Sequence, residues 1–195
     1  MNKLVIANWK MNPKKVEEAE KILTAITKIA KTSPKVNILI CPPFPYLYLG
    51  KKIKGKNINL GAQDVSSAVE GAFTGQVSAK MLKSLGVSSV IIGHSECRAD
   101  GDTNEIVNKK VVNALKEKIH PIVCVGESVR DNTGDYLTFI KNQIHECLKS
   151  VSKADMKNVS IAYEPIWAIG ASASRVATVE EFTEIKIFIK KILSL

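Results

Sequence analysis

Three ionisable residues stand where strand-like runs of the chain stop: Lys10, His94 and Glu164. An ammonium, an imidazole and a carboxylate brought to one edge form a plausible site for moving a proton next to a carbonyl in an anionic substrate. Glu164 closes the β-branched run Val159-Ser160-Ile161-Ala162-Tyr163, and Pro165 behind it cannot donate to a sheet ladder. A rigid Pro165-Ile166-Trp167 and a mobile Ala168-Ile169-Gly170 follow, which reads as a base beside a lid. The plain alternative is a solvent-facing Glu that merely ends a strand. His94 lies in Gly93-His94-Ser95-Glu96 at a strand-to-helix junction, where helix N–H dipoles disfavour a cationic ring. Lys10 lies in Asn8-Trp9-Lys10-Met11-Asn12, with Trp9 pinning the backbone between an amide and an ammonium; the bland reading is a solvated lysine.

These residues need elements to position them, and strand and helix patterns alternate along the chain. Strands are predicted over 3–7, 36–41, 57–62, 88–92, 121–125 and 159–163. Helices are predicted over 14–31, 46–52, 78–85, 103–118 and 136–150, with a last one from Thr178 to the chain end. The first shows one apolar face of Val16, Ala19, Ile22, Leu23, Ile26 and Ile29, and Thr178-Val179-Glu180-Glu181 fits a capping box. Six βα units in 195 residues mean a parallel sheet packed by helices in a single domain over 1–195. Spacing alone leaves a barrel and an open doubly wound sheet both standing. The first strand is not followed by Gly-x-Gly-x-x-Gly, which counts against a dinucleotide-binding sheet.

Composition narrows the class further. A hydrophobic content of 45% is enough for a real core. No apolar run reaches the roughly 18 residues of a membrane span, and the N-terminus moves straight into a strand, so a cytoplasmic protein without membrane contact is expected. Cys41, Cys97, Cys124 and Cys147 are scattered, without ligand-spaced histidines, and read as free thiols with no metal site. The net charge of +9 is almost all lysine spread along helix-like segments without interleaved aromatics. That pattern speaks against nucleic acid as a partner, while the positive field would help to capture an anionic metabolite.

Four motifs in order then carry a resemblance. Ile6-Ala7-Asn8-Trp9-Lys10-Met11-Asn12, Ile91-Ile92-Gly93-His94-Ser95-Glu96, Val123-Cys124-Val125-Gly126-Glu127 and Tyr163-Glu164-Pro165-Ile166-Trp167-Ala168-Ile169-Gly170 are similar to those of the triosephosphate isomerases. The resemblance runs over residues 3–188 and implies a TIM-type (β/α) barrel, without metal or organic cofactor. It implies interconversion of dihydroxyacetone phosphate and glyceraldehyde 3-phosphate in glycolysis and gluconeogenesis. By the same resemblance Glu164 is the base that shuttles the proton between the two substrate carbons, and a neutral His94 polarises the carbonyl and stabilises the enediolate. Lys10 holds the substrate charge, Asn8 orients the site, and Glu96 supports Lys10. Cys124 packs behind the base or is simple core filler. The backbone N–H of Gly170 meets the phosphate as the lid closes, with hinges at Pro165, Ile166 and Trp167 and at Arg175, Val176 and Ala177. Gln63 and Thr74 match the interface of a homo-oligomer, a dimer or higher.

The departures from the family pattern are equally specific. The lid reads Ala168-Ile169-Gly170-Ala171-Ser172-Ala173-Ser174 and lacks the family's second glycine. Cys97 and Gln76 replace the family's Arg and acidic residue of an intersubunit ion pair. Family members run to about 250 residues. At 195 residues this chain is expected to form an incomplete barrel of about six βα units instead of eight, without the late phosphate-binding amides. Two other readings stay open: a weak or inactive remnant acting as an oligomeric binding or structural protein, and another phosphosugar enzyme on the same fold.

Overall fold

In a computed structural model, which describes residues 3–170 and 173–194, six strands form one sheet in sequence order. They are β1 (Lys3–Asn8), β2 (Val36–Cys41), β3 (Ile58–Ala62), β4 (Ser89–Ile92), β5 (His120–Val125) and β6 (Ser160–Tyr163). Every neighbouring pair is parallel. Among the described residues β1 and β6 are the sheet's two edges.

The sheet is curled into a half-barrel, and side-chain packing shows how. Leu39 and Cys41 of β2 pack with Ile91 of β4 and with Ile122 and Cys124 of β5, which a flat sheet would hold apart. The alternate residues of these strands face the other way. Val90, Ile92, Val123 and Val125 meet helical residues such as Val107, Val111, Ile140 and Ile185 in the outer core. Strands buried on both faces read as unbroken apolar runs, as Ile122-Val123-Cys124-Val125 does. The architecture is therefore the incomplete TIM-type α/β barrel, with about six βα units.

The helices are α1 (Val16–Thr32), α2 (Ala79–Ser84), α3 (Ser95–Ala99), α4 (Asn104–Lys116), α5 (Asp135–Leu148) and α6 (Val179–Leu193). Ser78, Thr103 and Thr178 each cap a helix with the side-chain oxygen, and at Thr178 the reciprocal Glu181 contact completes the box read from sequence. Three of the differences from the sequence reading concern how helices form or begin. The 46–52 helix is a 3-10 helix, Phe44–Lys52, opened by Pro45. The first helix begins at Val16, because Lys15 is extended after Pro13. The single turn α3 was not foreseen; a five-residue helix is too short to show apolar periodicity.

Half of the predicted apolar face of α1 is not buried. Ala19 and Leu23 are in the core, whereas Val16, Ile22 and Ile29 are exposed. The adjoining strand behaves likewise: Leu4, Val5 and Ile6 of β1 are 53%, 52% and 36% exposed. No described helix is long and apolar enough to cross a membrane.

Candidate active site

The C-terminal ends of β1, β4 and β6 supply the three ionisable groups singled out above, and curling of the sheet brings them together. Lys10 follows β1 with a left-handed backbone, φ 53°, which is costly for a side chain with a Cβ. Two amides fix that conformation. The Asn8 carbonyl oxygen Oδ1 accepts from the Lys10 N–H at 2.9 Å, and Gln63 Nε2 donates to the carbonyls of Lys10 and Cys41, both at 2.9 Å. The Lys10 ammonium then reaches Glu96 Oε1 at 2.9 Å across the site.

His94 caps α3 with its ring. Nδ1 accepts from the Glu96 backbone N–H at 3.2 Å, so in the neutral ring the proton resides on Nε2. That Nε2 faces Glu164 Oε1 at 3.3 Å. The other carboxylate oxygen of Glu164 accepts from the Ser95 N–H at 3.0 Å. The Glu164 carboxylate thus rests on the first turn of α3, within reach of the imidazole. Behind it lies Cys124, whose thiol is buried and pushed well above its ordinary range by desolvation, then by the Glu164 charge. A cavity of about 250 Å³ opens beside these groups, lined by Asn8, Lys10, Gln63, His94 and Glu96 among others.

The backbone carrying Glu164 requires Gly126. A Cβ at Gly126 would come within 1.8 Å of the Glu164 carbonyl oxygen, so only glycine lets the two strand ends approach. The Glu164 N–H donates to the Val125 carbonyl at 2.8 Å and fixes where β6 stops. This contact is the physical reason for the glycine in Val123-Cys124-Val125-Gly126-Glu127.

Glu127, next in that motif, was missed as a working residue. It is 2% exposed, and its Oε1 accepts from the Tyr163 hydroxyl at 2.8 Å and from the Trp167 indole at 2.7 Å. It therefore ties Tyr163 at the end of β6 to Trp167. The Arg175 fork, close to the start of α6, donates to both carboxylate oxygens of Glu181 at 2.9 and 2.6 Å. The Arg175 hydrogen bond, followed by the capping backbone amide, holds the Glu181 carboxyl at about 2. Pro165 and Ile166 pass through a short 3-10 turn into Trp167, and Gly170 is left-handed at φ 74°. Val176 and Ala177 lead into the α6 cap. The lid-tip residues Ala171 and Ser172 lie outside the described residues.

Asp64, Cys97 and Asp102 lie close enough together to suggest a metal site. The Lys110 ammonium already sits 2.8–2.9 Å from both carboxylates and fills the cation's place. Cys97 and Gln76 line the same groove, so the positions that lack the intersubunit charges adjoin an acidic pair. Thr74 lies in the exposed 69–76 loop.

A parallel half-barrel with a carboxylate, an imidazole and an ammonium at its strand C-termini belongs to the class of (β/α)-barrel enzymes, whose sites sit on that edge. The particular family follows from comparison. The family model described as triosephosphate isomerase matches residues 3–195, and the chain belongs to that family. It is 43% identical to the triosephosphate isomerase of Endomicrobium trichonymphae, over 97% of this chain and 76% of that protein. With that of Aquifex aeolicus (strain VF5) it shares 41% identity, over 100% of this chain and 78% of the relative. With that of Thermoanaerobacter pseudethanolicus it shares 44%, over 93% and 73%.

Proposed function

We propose that the protein interconverts dihydroxyacetone phosphate and glyceraldehyde 3-phosphate through an enediolate, as a step of glycolysis and gluconeogenesis. The observation that carries this reading is the Glu164 carboxylate 3.3 Å from the His94 Nε2, with the Lys10 ammonium on the same edge. Each group has one task. Glu164 takes a proton from the carbon beside the substrate carbonyl and returns it to the neighbouring carbon. The neutral His94 Nε2–H hydrogen-bonds the carbonyl oxygen and stabilises the charge that develops there. Lys10 balances the anionic substrate, Asn8 orients the ammonium through the backbone bond described above, and Glu96 keeps Lys10 in reach.

To act, Glu164 leaves the Ser95 N–H and turns to the substrate carbon, since its proton transfer needs direct reach. Closure of the segment between Trp167 and Arg175 over the substrate would drive that move, with the Gly170 N–H meeting the phosphate. Water must be kept out, since an enediolate phosphate exposed to it can eliminate phosphate. A second copy is expected to complete the working unit through Gln63 and Thr74, with Thr74 reaching the neighbour's Asn8.

The exposure of Leu4, Val5 and Ile6 favours a second reading, an oligomeric binding protein with little turnover. A coupled isomerisation assay on the 195-residue chain, beside Glu164→Gln, separates the two. Activity present in the parent and lost in the variant supports the isomerase, with a high KM as the sign of weak phosphate binding. Equal background rates would transfer the argument to the binding protein.

A further inference from the structure

Both ends of the lid segment are anchored on carboxylates, and one guanidinium lies against both anchors. Arg130, its side chain 10% exposed, stacks over the Tyr136 ring at 4.1 Å. Its Nη1 is 3.7 Å from Glu127, the residue that holds the Trp167 indole. Its Nε is 3.8 Å from Glu181, the residue that holds Arg175. Its Nη2 pairs with Glu184 on α6, whose other oxygen accepts from the Tyr136 hydroxyl at 2.9 Å. The hinges also touch each other: the Arg175 guanidinium lies 4.3 Å over the Trp167 ring, and the Ser174 N–H donates to the Trp167 carbonyl at 2.8 Å.

Two of the atoms in this cluster are left over. Glu127 Oε2 and Arg130 Nη1 are buried side-chain polar atoms without a hydrogen-bond partner among the described residues. Opposite charges this close, in a buried site, are one small displacement from a direct bond. An arrangement that leaves them apart holds an interaction in reserve for another position of Trp167.

We propose that Arg130 is a positioning residue that couples the two hinges of the lid, by acting on Glu127 at the Trp167 end and on Glu181 at the Arg175 end. When Trp167 shifts and withdraws its indole from Glu127, the carboxylate turns to Arg130. The guanidinium then moves relative to Glu181, and the Arg175 fork follows. The two hinges thereby move together instead of one at a time. This rests on the reading that the segment covers the substrate, although its main test needs no turnover.

The test labels the full chain with 5-fluorotryptophan and follows its two tryptophans, Trp9 and Trp167, by fluorine NMR, with Trp167→Phe assigning the signals. Arg130→Met is expected to shift the Trp167 resonance, leave that of Trp9 in place, and speed tryptic cleavage after Arg175 by about tenfold. Arg130→Lys, which keeps the charge, should return both readouts most of the way. A folded Arg130→Met variant with unchanged resonance and unchanged cleavage would overturn the proposal. Should that variant fail to fold, the near-isosteric Glu127→Gln takes its place. It alters only the Trp167 end, yet coupling requires faster cleavage at the Arg175 end, and cleavage at the parent rate would sink the idea. In the isomerase assay, kcat/KM should fall about tenfold in Arg130→Met and recover in Arg130→Lys. An inactive parent chain would refute the proposed isomerase while leaving the resonance and cleavage results readable.

Discussion

The middle of the sheet and its two edges are made of similar residues and behave differently. Ile122-Val123-Cys124-Val125 in β5 and Leu4-Val5-Ile6 in β1 are both apolar and both lie in parallel pairing. Each of the β5 residues is buried, whereas the β1 residues are exposed. The difference comes from neighbours: β5 has a strand on both sides and helices α4 and α5 against it, while β1, among the described residues, pairs with β2 alone. The site straddles this divide. His94 and Glu96 follow the central strand β4, but Lys10 follows one edge strand and Glu164 the other. Two of the three proposed chemical groups therefore depend on strands whose support comes from one side. This explains why local devices gather there: Gln63 and Asn8 around Lys10, Gly126 and the Ser95 N–H around Glu164.

Substitutions that probe the middle against the edges should separate cleanly. The largest stability effect is expected for Ile122→Ala, which opens a cavity at a 2% exposed position and should cost about 3 kcal/mol by denaturant unfolding. Leu4→Ala, at 53% exposure, should cost less than about 1 kcal/mol in the same experiment. Equal losses would mean that something covers β1 in solution, and a dependence on protein concentration would identify it as a second copy.

Next in size is Glu164→Asp. Shortening the base by a methylene takes it out of line and should lower kcat about a hundredfold, with little change in the unfolding midpoint. An unchanged kcat would remove Glu164 from the role of base. Thr178→Ala removes the Oγ1 that accepts from the Glu181 N–H at 3.2 Å. It should cost about 1 kcal/mol in thermal unfolding, because α6 loses its cap and β6 rests on α6.

The smallest effect concerns the opposite, N-terminal edge of the sheet, where His120 Nε2 and Ser160 Oγ, 2.8 Å apart, tie β5 to β6. Burial lowers the His120 pKa from its ordinary 6.5, so the unfolded chain binds the proton more readily than the folded one. Its contribution is complete above the ordinary value and is lost as pH falls from there towards the lowered value. His120→Gln should flatten the parent's decline in unfolding midpoint between pH ~7.5 and ~5.5. A parent and variant that decline in parallel would show that this tie does not titrate.

Much of this was legible in the chain itself. The alternation of strand and helix patterns gave all six strands to within a residue or two, since each is a short apolar run cut off by Pro, Gly or a polar residue. Lys10, His94 and Glu164 were visible because each is a polar side chain set where such a run ends. Glu127 was not, because a buried glutamate looks like any other until its Tyr163 and Trp167 donors come into view. Arg130 was equally hidden, since its carboxylates lie 3, 51 and 54 residues along the chain or next to it only in space.

The sequence by itself determined the strands, the capping box at Thr178 and the identity of the groups at the strand ends, because these depend on local periodicity and backbone chemistry. Tertiary structure alone decided that α3 forms, that Glu164 rests on the Ser95 N–H, and that Leu4, Val5 and Ile6 stay exposed. Those outcomes depend on which surfaces meet when the sheet curls, and burial is a property of neighbours, not of residue type.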